Sequence, residues 1–535
     1  MITFFGKKKE QVLIFGTGSG GMNFYQNNRS RYQIVGFLDN NKQKHGHKLF
    51  GQSIYAPQSL GSLSFDKIII ASDYYVEIHA QLIKQLEVDA ERIEVFQPSH
   101  LINTSWWYRL KKLIDQRCYL IMCRKSGWIS TLLFNLFYGR IRGSSNTKMM
   151  PFSWLDTQSD FRIHIFREAI PAVVRGPAYL DRPKIIADIV LPEVALYRIH
   201  DGQVCSVSRS VILPGNRLLI ERVIPAVTNN ADYSCAHLLY HGEKLALVRQ
   251  DQPEYIDKGI LISGGSETNY YHWMLEILSQ LQFIEEMPDE YNGYPILISV
   301  SSQKISSIKT FIDAAKISRR FIYLNNITSY RVEDLLLITP PNNLVANLKD
   351  TTWSNVVNSY VRKESIDYLR HVAFQACLSS ASAPLPKRIF FARKGFIRHY
   401  NQNEIMDALS VFGFTFVYME DLSFCEQVSL MAQAEFIVGP TGAAWTNIIF
   451  ASPGTKALCW MARDAGDLSC FSNIAYVLDI DLNYLSYEVR TSNTREIYYA
   501  SYTMDPNRIV SWVKNNLPEE NCNQANIELN YEGAV

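Results

Sequence analysis

The chain has 535 residues, of which 47% are hydrophobic, and a formal net charge of +1. This length is typical of two to four domains, and the near-zero charge provides no overall field that would favour nucleic acid as a partner. No uncharged apolar run reaches the length of a membrane span. The nine cysteines are scattered without a CxxC pair, which is typical of a reducing compartment. Because the first ten residues also lack the apolar segment of a signal peptide, we expect a cytoplasmic protein.

Residues 1–100 have the pattern of a nucleotide-binding α/β domain. A short apolar strand precedes Gly16-Thr-Gly18-Ser-Gly-Gly21, which fits the G-x-G-x-x-G spacing, and a second strand ends at Asp39. In that motif the glycines let the backbone approach a pyrophosphate, and the acidic residue holds a ribose hydroxyl. We therefore expect Gly16, Gly18, Gly21 and Asp39 to bind a nucleotide or nucleotide sugar. A domain with only a structural role is the alternative.

Residues 101–150 form a basic connector that is rich in aromatic residues. Within it, the segment 105–142 mixes aromatic and aliphatic residues with Lys and Arg, and Asp115 is its single acidic residue. This composition suits an interfacial helix on an anionic leaflet. It predicts peripheral contact with the inner face of the cytoplasmic membrane. A helical linker packed on its own domains explains the same composition, and both interpretations stay open.

Residues 151–375 combine β-rich structure with an amphipathic helix predicted over 269–287. The helix begins with Asn269-Tyr-Tyr-His272-Trp-Met-Leu-Glu276, directly after a Gly-rich turn. His272 and Glu276 are spaced i, i+4 and therefore share one helical face. A histidine in this setting suits removal of a proton from a hydroxyl group. A histidine that only fills a domain seam is the alternative.

Residues 376–535 alternate strands and helices, which predicts a parallel sheet with crossover helices. Ligands bind outside the carboxyl ends of such strands. Charged and small residues follow the predicted strands at these ends: Arg393, Lys394, Glu420, Asp421 and Thr441. The turn after the third strand, Thr441-Gly442-Ala443-Ala444, leads into a helical pattern that carries Asn447. Such a junction directs backbone N–H groups and a helix dipole at one point, which suits a phosphate.

These motifs occur together in one known family. Those that carry the resemblance are Arg388…Arg393, Asn403-Glu404, Gly413-Phe414, Glu426-Gln427, Gly439-Pro-Thr-Gly-Ala…Asn447…Phe450 and, upstream, Tyr271-His-Trp273. They resemble the signature of glycosyltransferase family 61, formerly DUF563, over roughly residues 185–505. The resemblance implies a GT-B fold and inverting transfer from a nucleotide sugar, usually a UDP-sugar. Many members carry His where this chain has Thr441, which leaves the role of this position open because Thr does not titrate.

Roles follow from combining the resemblance with the chemistry of the residues. His272 is the predicted base, and Glu276 orients it or replaces it. Arg393 is expected to neutralise the diphosphate beside the backbone of Thr441, Gly442 and Ala443.

The remaining candidates are expected to contact the donor less directly: Arg388, Lys394, Glu404, Glu420, Asp421 and Asn447. For each of the charged residues an ordinary surface role is the alternative. Glu404 and Asp421 also suit the start of a helix, as a first-turn acid and a cap. Asn447 is expected to hold the loop in shape.

The overall prediction is an α/β protein in which a Rossmann-like domain precedes a GT-B-type pair of Rossmann-like domains. The pair comprises an acceptor domain at 151–375 and a donor domain at 376–535. The N-terminal unit resembles nucleotide-binding domains of bacterial polysaccharide enzymes, so the acceptor is expected to be a glycan or lipid-linked glycan of a capsule or lipopolysaccharide precursor. The pattern Asp479-Ile-Asp481 lies in a strand-like context, and we expect no metal and no cofactor besides the donor. The alternatives are an NAD-dependent sugar-nucleotide modifying enzyme and a non-catalytic scaffold.

Overall fold

The computed structural model describes two compact units, residues 1–118 and 119–535. The described residues are 9–29, 31–72, 75–96, 144–220, 238–241, 245–249, 253–265, 269–326, 328–344, 356–378, 385–394, 398–489, 497 and 500–517. The segment 105–142, with its predicted membrane contact, lies outside them. Within the described ranges no helix is long and apolar enough to cross a membrane.

The first unit is an α/β domain built on one six-stranded sheet. Strands β1–β6 lie at Gln11–Phe15, Gln33–Leu38, Lys48–Leu49, Gln52–Tyr55, Lys67–Ile70 and Ile93–Val95, and helices α1 and α2 at Ser19–Asn28 and Tyr75–Lys84. Short 3-10 helices lie at Lys42–Lys44, Pro57–Ser62 and Ala90–Arg92. The strand order is β3-β4-β2-β1-β5-β6, and every pair except β3–β4 is parallel.

The central strands of this sheet are buried on both faces. Val12 and Ile14 of β1 belong to one apolar cluster, and Leu13 and Phe15 belong to another. Runs of consecutive apolar residues are what a parallel sheet with two covered faces requires. The Rossmann-like prediction is confirmed, whereas the β3–β4 hairpin was not predicted.

The second unit contains two larger sheets. Its strands β7–β27 lie, in chain order, at Ser144–Pro151, Arg162–Arg167, Ile170–Arg175, Ala178–Tyr179, Ile186–Leu191, Val194–Val204, Val211–Leu213, Arg217–Ile220, Leu238–His241, Leu245–Arg249, Glu254–Ile262, Ile296–Ser299, Phe321–Leu324, Tyr330–Ile338, Asn343–Leu344, Ser359–Tyr360, Arg388–Phe391, Thr415–Val417, Phe436–Pro440, Lys456–Ala462 and Asp481–Tyr487. Helices α3–α10 lie at Tyr270–His272, Ser301–Lys304, Ser306–Ala314, Lys363–Cys377, Gln402–Ser410, Phe424–Gln433, Cys470–Val477 and Pro506–Asn516. A π-helix lies at Trp273–Ile277, and 3-10 helices lie at Phe152–Thr157, Leu278–Phe283, Asp289–Tyr291, Val356–Asn358, Met419–Asp421, Ala443–Phe450 and Arg463–Ala465.

The first of these sheets is mixed. Its order is β15-β16-β7-β14-β13-β12-β20-β17-β18-β19, with β8 also paired to β12. Strands β20, β17, β18 and β19 run parallel, and β12 joins them antiparallel. Strand β12 is long, and both of its halves, residues 196–200 and 202–204, pair with β20.

The second sheet is parallel throughout, in the order β10-β27-β26-β25-β23-β24. Its edge strand β10 comes from residues 178–179, which the sequence assigned to the preceding domain. One apolar cluster includes Trp273 and Ile296 from the first half and Phe390 and Trp460 from the second. The α/β class is confirmed, while the boundary near residue 376 and the GT-B pairing stay predictions.

The segment predicted as one amphipathic helix over 269–287 is broken into three types of helix. An α-turn, the π-helix and a 3-10 helix follow one another from Tyr270 to Phe283. Nearly every side chain in this segment is buried, so it has no solvent face to make it amphipathic. A π-helix is rare and often marks a functional site.

Cysteine pairing also differs from the sequence interpretation. The structure joins Cys377, at the end of α6, to Cys425, in the first turn of α8, by a disulfide. The spacing of the cysteines along the chain did not indicate this pair, because the two helices meet only in the folded protein.

Candidate active site

A cavity of about 570 Å³ opens at the carboxyl ends of the parallel strands. Residues 269–272 line it together with Thr441, Gly442 and Ala443. Met461 and Tyr487, at the carboxyl ends of β26 and β27, also line the cavity. The sheet therefore brings the predicted base and the predicted phosphate loop to the same space.

His272 and Glu276 form a buried pair at the start of the broken helix. His272 Nδ1 lies 2.7 Å from Glu276 Oε2, and both residues are 5% exposed. Burial by itself would raise the pKa of Glu276, but the charge and hydrogen bond of His272, with Arg209 and the Leu344 N–H, hold it below 4.5. An ionised carboxylate on Nδ1 fixes the imidazole ring and leaves Nε2 as the nitrogen that can take a proton.

The segment around this pair is tied down by further buried hydrogen bonds. Arg209 donates through Nε to the Ser263 carbonyl at 3.1 Å, and Gln280 Nε2 donates to the Glu276 carbonyl at 2.6 Å. At the other end, the Asn269 side chain accepts from the Tyr271 N–H at 2.9 Å. The predicted base and its carboxylate therefore lie on a segment held by several buried hydrogen bonds, which suits a positioned acid–base group.

The loop after β25 gathers two guanidinium groups on one carbonyl oxygen. Arg393 Nη2 and Arg398 Nη1 both donate to the Thr441 carbonyl, the latter at 3.3 Å. A Cβ on Gly442 would lie 2.7 Å from Arg393 Nη2, so only glycine leaves room for this arrangement. The Thr441 N–H is used by the Trp460 carbonyl at 2.9 Å, and no side chain caps the 3-10 helix that starts at Ala443.

The charge of both arginines reaches the cavity wall. Burial raises the pKa of Tyr487, and the positive charges of Arg398 and Arg393 partly offset this rise. Tyr487 and Arg398 both line the cavity. A positive field beside uncapped N–H groups suits the oxygen atoms of a phosphate.

Comparison with known proteins assigns part of the chain to a family. Residues 270–458 match the family model described as Glycosyltransferase 61. This region is a glycosyltransferase 61 domain. Residues 8–94 match a second model, described as C2185-like, N-terminal. The resemblance to family 61 is therefore confirmed over residues 270–458, which include His272 and the Thr441 loop, whereas part of the cavity wall, such as Met461 and Tyr487, lies beyond the match.

The other comparisons add little. The curated proteins contain no match. Similar solved structures include UDP-D-quinovosamine 4-dehydrogenase from Vibrio fischeri, with 24% identity, 18% of this chain, 86% of that chain and a TM-score of 0.15. They also include RSP, a Rex-family repressor, with 17% identity, 20% of this chain, 63% of that chain and a TM-score of 0.15. Likenesses with such TM-scores carry no argument about this chain.

Arg388 lies away from the cavity of the glycosyltransferase 61 domain. It is the first residue of β23, in register with the first residue of β25, and it donates to the Phe412 carbonyl at 2.7 Å. Arg393 follows the other end of the same strand. Strand direction therefore separates the two arginines, and Arg388 holds the turn before β24.

The remaining charged candidates form the rim of the carboxyl edge. Lys394 pairs with Asp421, and each is about half exposed. Glu420 is exposed beside them. Glu404 accepts from the Asn401 side chain at 2.6 Å in the first turn of α7. The structure brings these residues near the strand ends, but none of them lines the cavity.

The start of α8 shows that the alternative role of Asp421, as the cap of this helix, was wrong. Ser423, and not Asp421, caps this helix, and it forms a capping box with Glu426. The sequence shows Ser423 three residues before Glu426, so the capping-box spacing was the signal that would have found it.

Several residues of the cavity were not among those predicted from the sequence. Arg398 was visible as the third cation after β23, but its contact with Thr441 depends on a left-handed backbone with φ 58°. The Tyr271 hydroxyl is buried and has no hydrogen-bond partner within the described part of the chain. Tyr487 comes from the last strand of the sheet, and no local motif marks it.

The N-terminal glycine loop has a different structure. A Cβ on Gly16 would lie 2.8 Å from the Ala71 carbonyl oxygen, and one on Gly21 would lie 1.9 Å from that of Gly16. Gly18, by contrast, faces open space. Nucleotide binding by Gly16, Gly18 and Gly21 stays a prediction, and only Gly18 lacks an internal reason to be glycine.

Asp39 follows β2, as predicted, but its carboxylate is occupied by neighbouring groups. Oδ2 accepts from Lys44 Nζ at 2.8 Å and from Thr17, and Oδ1 accepts from the Asn41 N–H at 2.9 Å. Burial would raise the pKa of Asp39, and these hydrogen bonds lower it overall. A ribose diol would have to displace Lys44 or Thr17 to bind here.

Asp479 and Asp481 lie in different surroundings. Asp479 lies in a turn with φ 57°, and Asp481 pairs with Lys456 at 2.7 Å. Among the residues that the structure describes, no group of three or more His, Cys, Asp or Glu is arranged to hold a metal ion.

Proposed function

We propose that the glycosyltransferase 61 domain transfers a sugar, with inversion, from a UDP-linked donor to a glycan or lipid-linked glycan of a capsule or lipopolysaccharide precursor. The observation that carries this proposal is that His272, which is paired with Glu276, and the Thr441 loop line the same cavity. The first group suits an acceptor hydroxyl, and the second suits a leaving diphosphate.

The chemistry is a single displacement. His272 Nε2 takes the proton of the acceptor hydroxyl while the oxygen attacks the anomeric carbon. The bond between that carbon and the diphosphate breaks, and the electron pair leaves with the nucleoside diphosphate. Attack opposite the leaving group inverts the configuration at the anomeric carbon.

The leaving group gains negative charge as it departs. Arg398, supported by Arg393, and the N–H groups after Thr441 are placed to stabilise that charge. The described residues that line the cavity include no Asp or Glu. Because carboxylates are the usual protein ligands of Mg²⁺, we propose that arginines take this part and that transfer persists in EDTA.

A lipid-linked acceptor fits the prediction that residues 105–142 contact the membrane surface. Charge reversal of Arg109, Lys111 and Lys112 to Glu should then release the protein from anionic vesicles. Unchanged cosedimentation would exclude this route to the acceptor without affecting the transfer chemistry.

Donor hydrolysis tests the proposed function. We expect the wild-type protein to release UDP slowly from one member of a panel of UDP-sugars, and Arg398→Ala and Arg393→Ala to lower this rate by about 10- to 100-fold each, because charge-assisted hydrogen bonds contribute about 1.5–3 kcal/mol. Arg388→Ala is the matched control, since it removes the same group from the amino end of the same strand. Oxidation or reduction of NAD(H) with a sugar nucleotide, in place of UDP release, would favour the modifying-enzyme alternative.

A further inference from the structure

A chain of side-chain hydrogen bonds links the segment that carries His272 to the turn after β24. Tyr270 OH donates to Asn447 Oδ1 at 3.1 Å, and Asn447 Nδ2 donates to Gln427 Oε1 at 3.1 Å. Gln427 Nε2 in turn donates to the carbonyls of Met419 and Leu422 at 3.0 and 3.1 Å. We infer that Asn447 is a positioning residue, which holds the base segment against the donor loop and does not itself bind the donor. This inference rests on the proposed function.

The two backbone carbonyls at the end of this series of hydrogen bonds determine the donor and the acceptor in each of them. Two backbone carbonyls can only accept, so Gln427 must present its NH₂ group to them and its oxygen to Asn447. Asn447 must then donate to Gln427, which leaves its own oxygen for Tyr270. Burial raises the pKa of Tyr270, so its hydroxyl stays protonated and donates. No other assignment of the two amides satisfies all the groups.

Both polar atoms of the Asn447 side chain already have protein partners. Its side chain is 1% exposed, both ends of its amide are used, and it does not line the cavity. Tyr270 does line the cavity, and it lies in the same three-residue turn as His272. Asn447 therefore reaches the reacting groups only through Tyr270.

The consequence for transfer is geometric. Asn447 lies in the 3-10 helix that follows the Thr441 loop, whereas Tyr270 lies in the helix turn that holds the base. Their hydrogen bond sets the distance between base and leaving group. A misplacement of about 1 Å in such a pair costs about 100-fold in rate.

The kinetic test compares Tyr270→Phe and Asn447→Leu with the wild-type protein. We expect kcat for donor hydrolysis or transfer to fall by about 10- to 100-fold in Asn447→Leu and by less in Tyr270→Phe, while the Kd for UDP changes by less than about three-fold. The double variant should fall no further than Asn447→Leu, because residues in one network are not additive. A rise in the Kd for UDP with little change in kcat would show that Asn447 binds the donor, and would overturn the inference.

Hydrogen exchange supplies a readout that needs no substrate. In both variants the backbone amides of 269–277 should exchange faster than in the wild-type protein, while those of β26 should not change. Unchanged exchange at 269–277 in both variants would overturn the inference even if the donor is never found. Faster exchange throughout the second unit, with a matching loss of Tm, would show a merely structural role and would overturn it as well. A wild-type protein that releases no UDP and binds none would defeat the proposed function instead.

Discussion

Two strand–glycine–helix junctions, after β1 and after β25, look alike in the sequence and differ in what their glycines accommodate. At Gly16 and Gly21 an added Cβ would collide with carbonyl oxygens of the protein itself. At Gly442 it would collide with the guanidinium group of Arg393. Gly16 and Gly21 thus have a packing reason to be glycine, whereas Gly442 leaves room for a cation beside a cavity. Nucleotide binding at the first loop stays a prediction.

The largest expected effect is on the transfer rate, and it concerns the second junction alone. His272 lines the same cavity as the second junction, and His272→Gln should lower the transfer rate by about 10²- to 10⁴-fold, the usual contribution of a general base. The Kd for UDP should not change, because the donor loop is untouched. Single-turnover rates and calorimetry check the two quantities. A variant that keeps its rate would remove His272 from the mechanism.

The next effect concerns the fold of the first junction. Gly21→Ala forces a Cβ to within 1.9 Å of the Gly16 carbonyl oxygen, and it should destabilise the first unit by about 1–3 kcal/mol. Gly18→Ala is the matched control, since no atom lies within 4 Å of its added Cβ. Chemical denaturation of the full chain measures both. If Gly18→Ala also lowers stability, the distinction between the two glycines is wrong.

A smaller effect is expected at the second junction. Gly442→Ala displaces the end of the flexible Arg393 side chain and leaves the backbone in place, because the extended φ of 169° suits any residue. We expect the Kd for UDP to rise about ten-fold, which is about 1.4 kcal/mol, with Tm nearly unchanged. Loss of Tm without loss of affinity would mean that both junctions use glycine for packing.

The smallest effect depends on pH. Because the folded pKa of Glu276 is held below 4.5, its ionised form stabilises the fold fully above that value, and the contribution is lost as pH falls through the lowered pKa. The Tm advantage of the wild-type protein over Glu276→Gln should therefore be constant at neutral pH and shrink below about pH 4.5. Thermal melts of both proteins across this range measure it. An advantage that grows on acidification would contradict the assigned direction.

The sequence predicted well those features that depend on local pattern. Consecutive apolar residues predicted the strands that precede Gly16 and Asp39, which are β1 and β2, and the i, i+4 spacing placed His272 beside Glu276. Features that depend on contacts between distant parts of the chain could not be predicted from the sequence. The segment predicted as an amphipathic helix is buried on all sides and contains a π-helix and a 3-10 helix. The direction of β23 places Arg388 at the amino end of the strand, away from the cavity.

The candidate site shows the same limit. Arg393 and Thr441 are 48 positions apart, and their contact follows from the pairing of β23 with β25. Arg398 donates to the same carbonyl, and its own backbone is left-handed, a conformation that no sequence motif indicates. The Cys377–Cys425 disulfide and the Asn447–Gln427 hydrogen bond likewise join helices that are distant in the chain.

Calorimetric titration of UDP onto the wild-type chain, the double variant Arg393→Ala/Arg398→Ala and Arg388→Ala tests the central claim most directly. We predict that the wild-type chain and Arg388→Ala bind UDP alike, and that the double variant binds at least about 100-fold more weakly, since two charge-assisted hydrogen bonds are removed. Equal UDP affinity in the double variant and the wild-type chain would contradict the assignment of the Thr441 loop as the site of the leaving diphosphate.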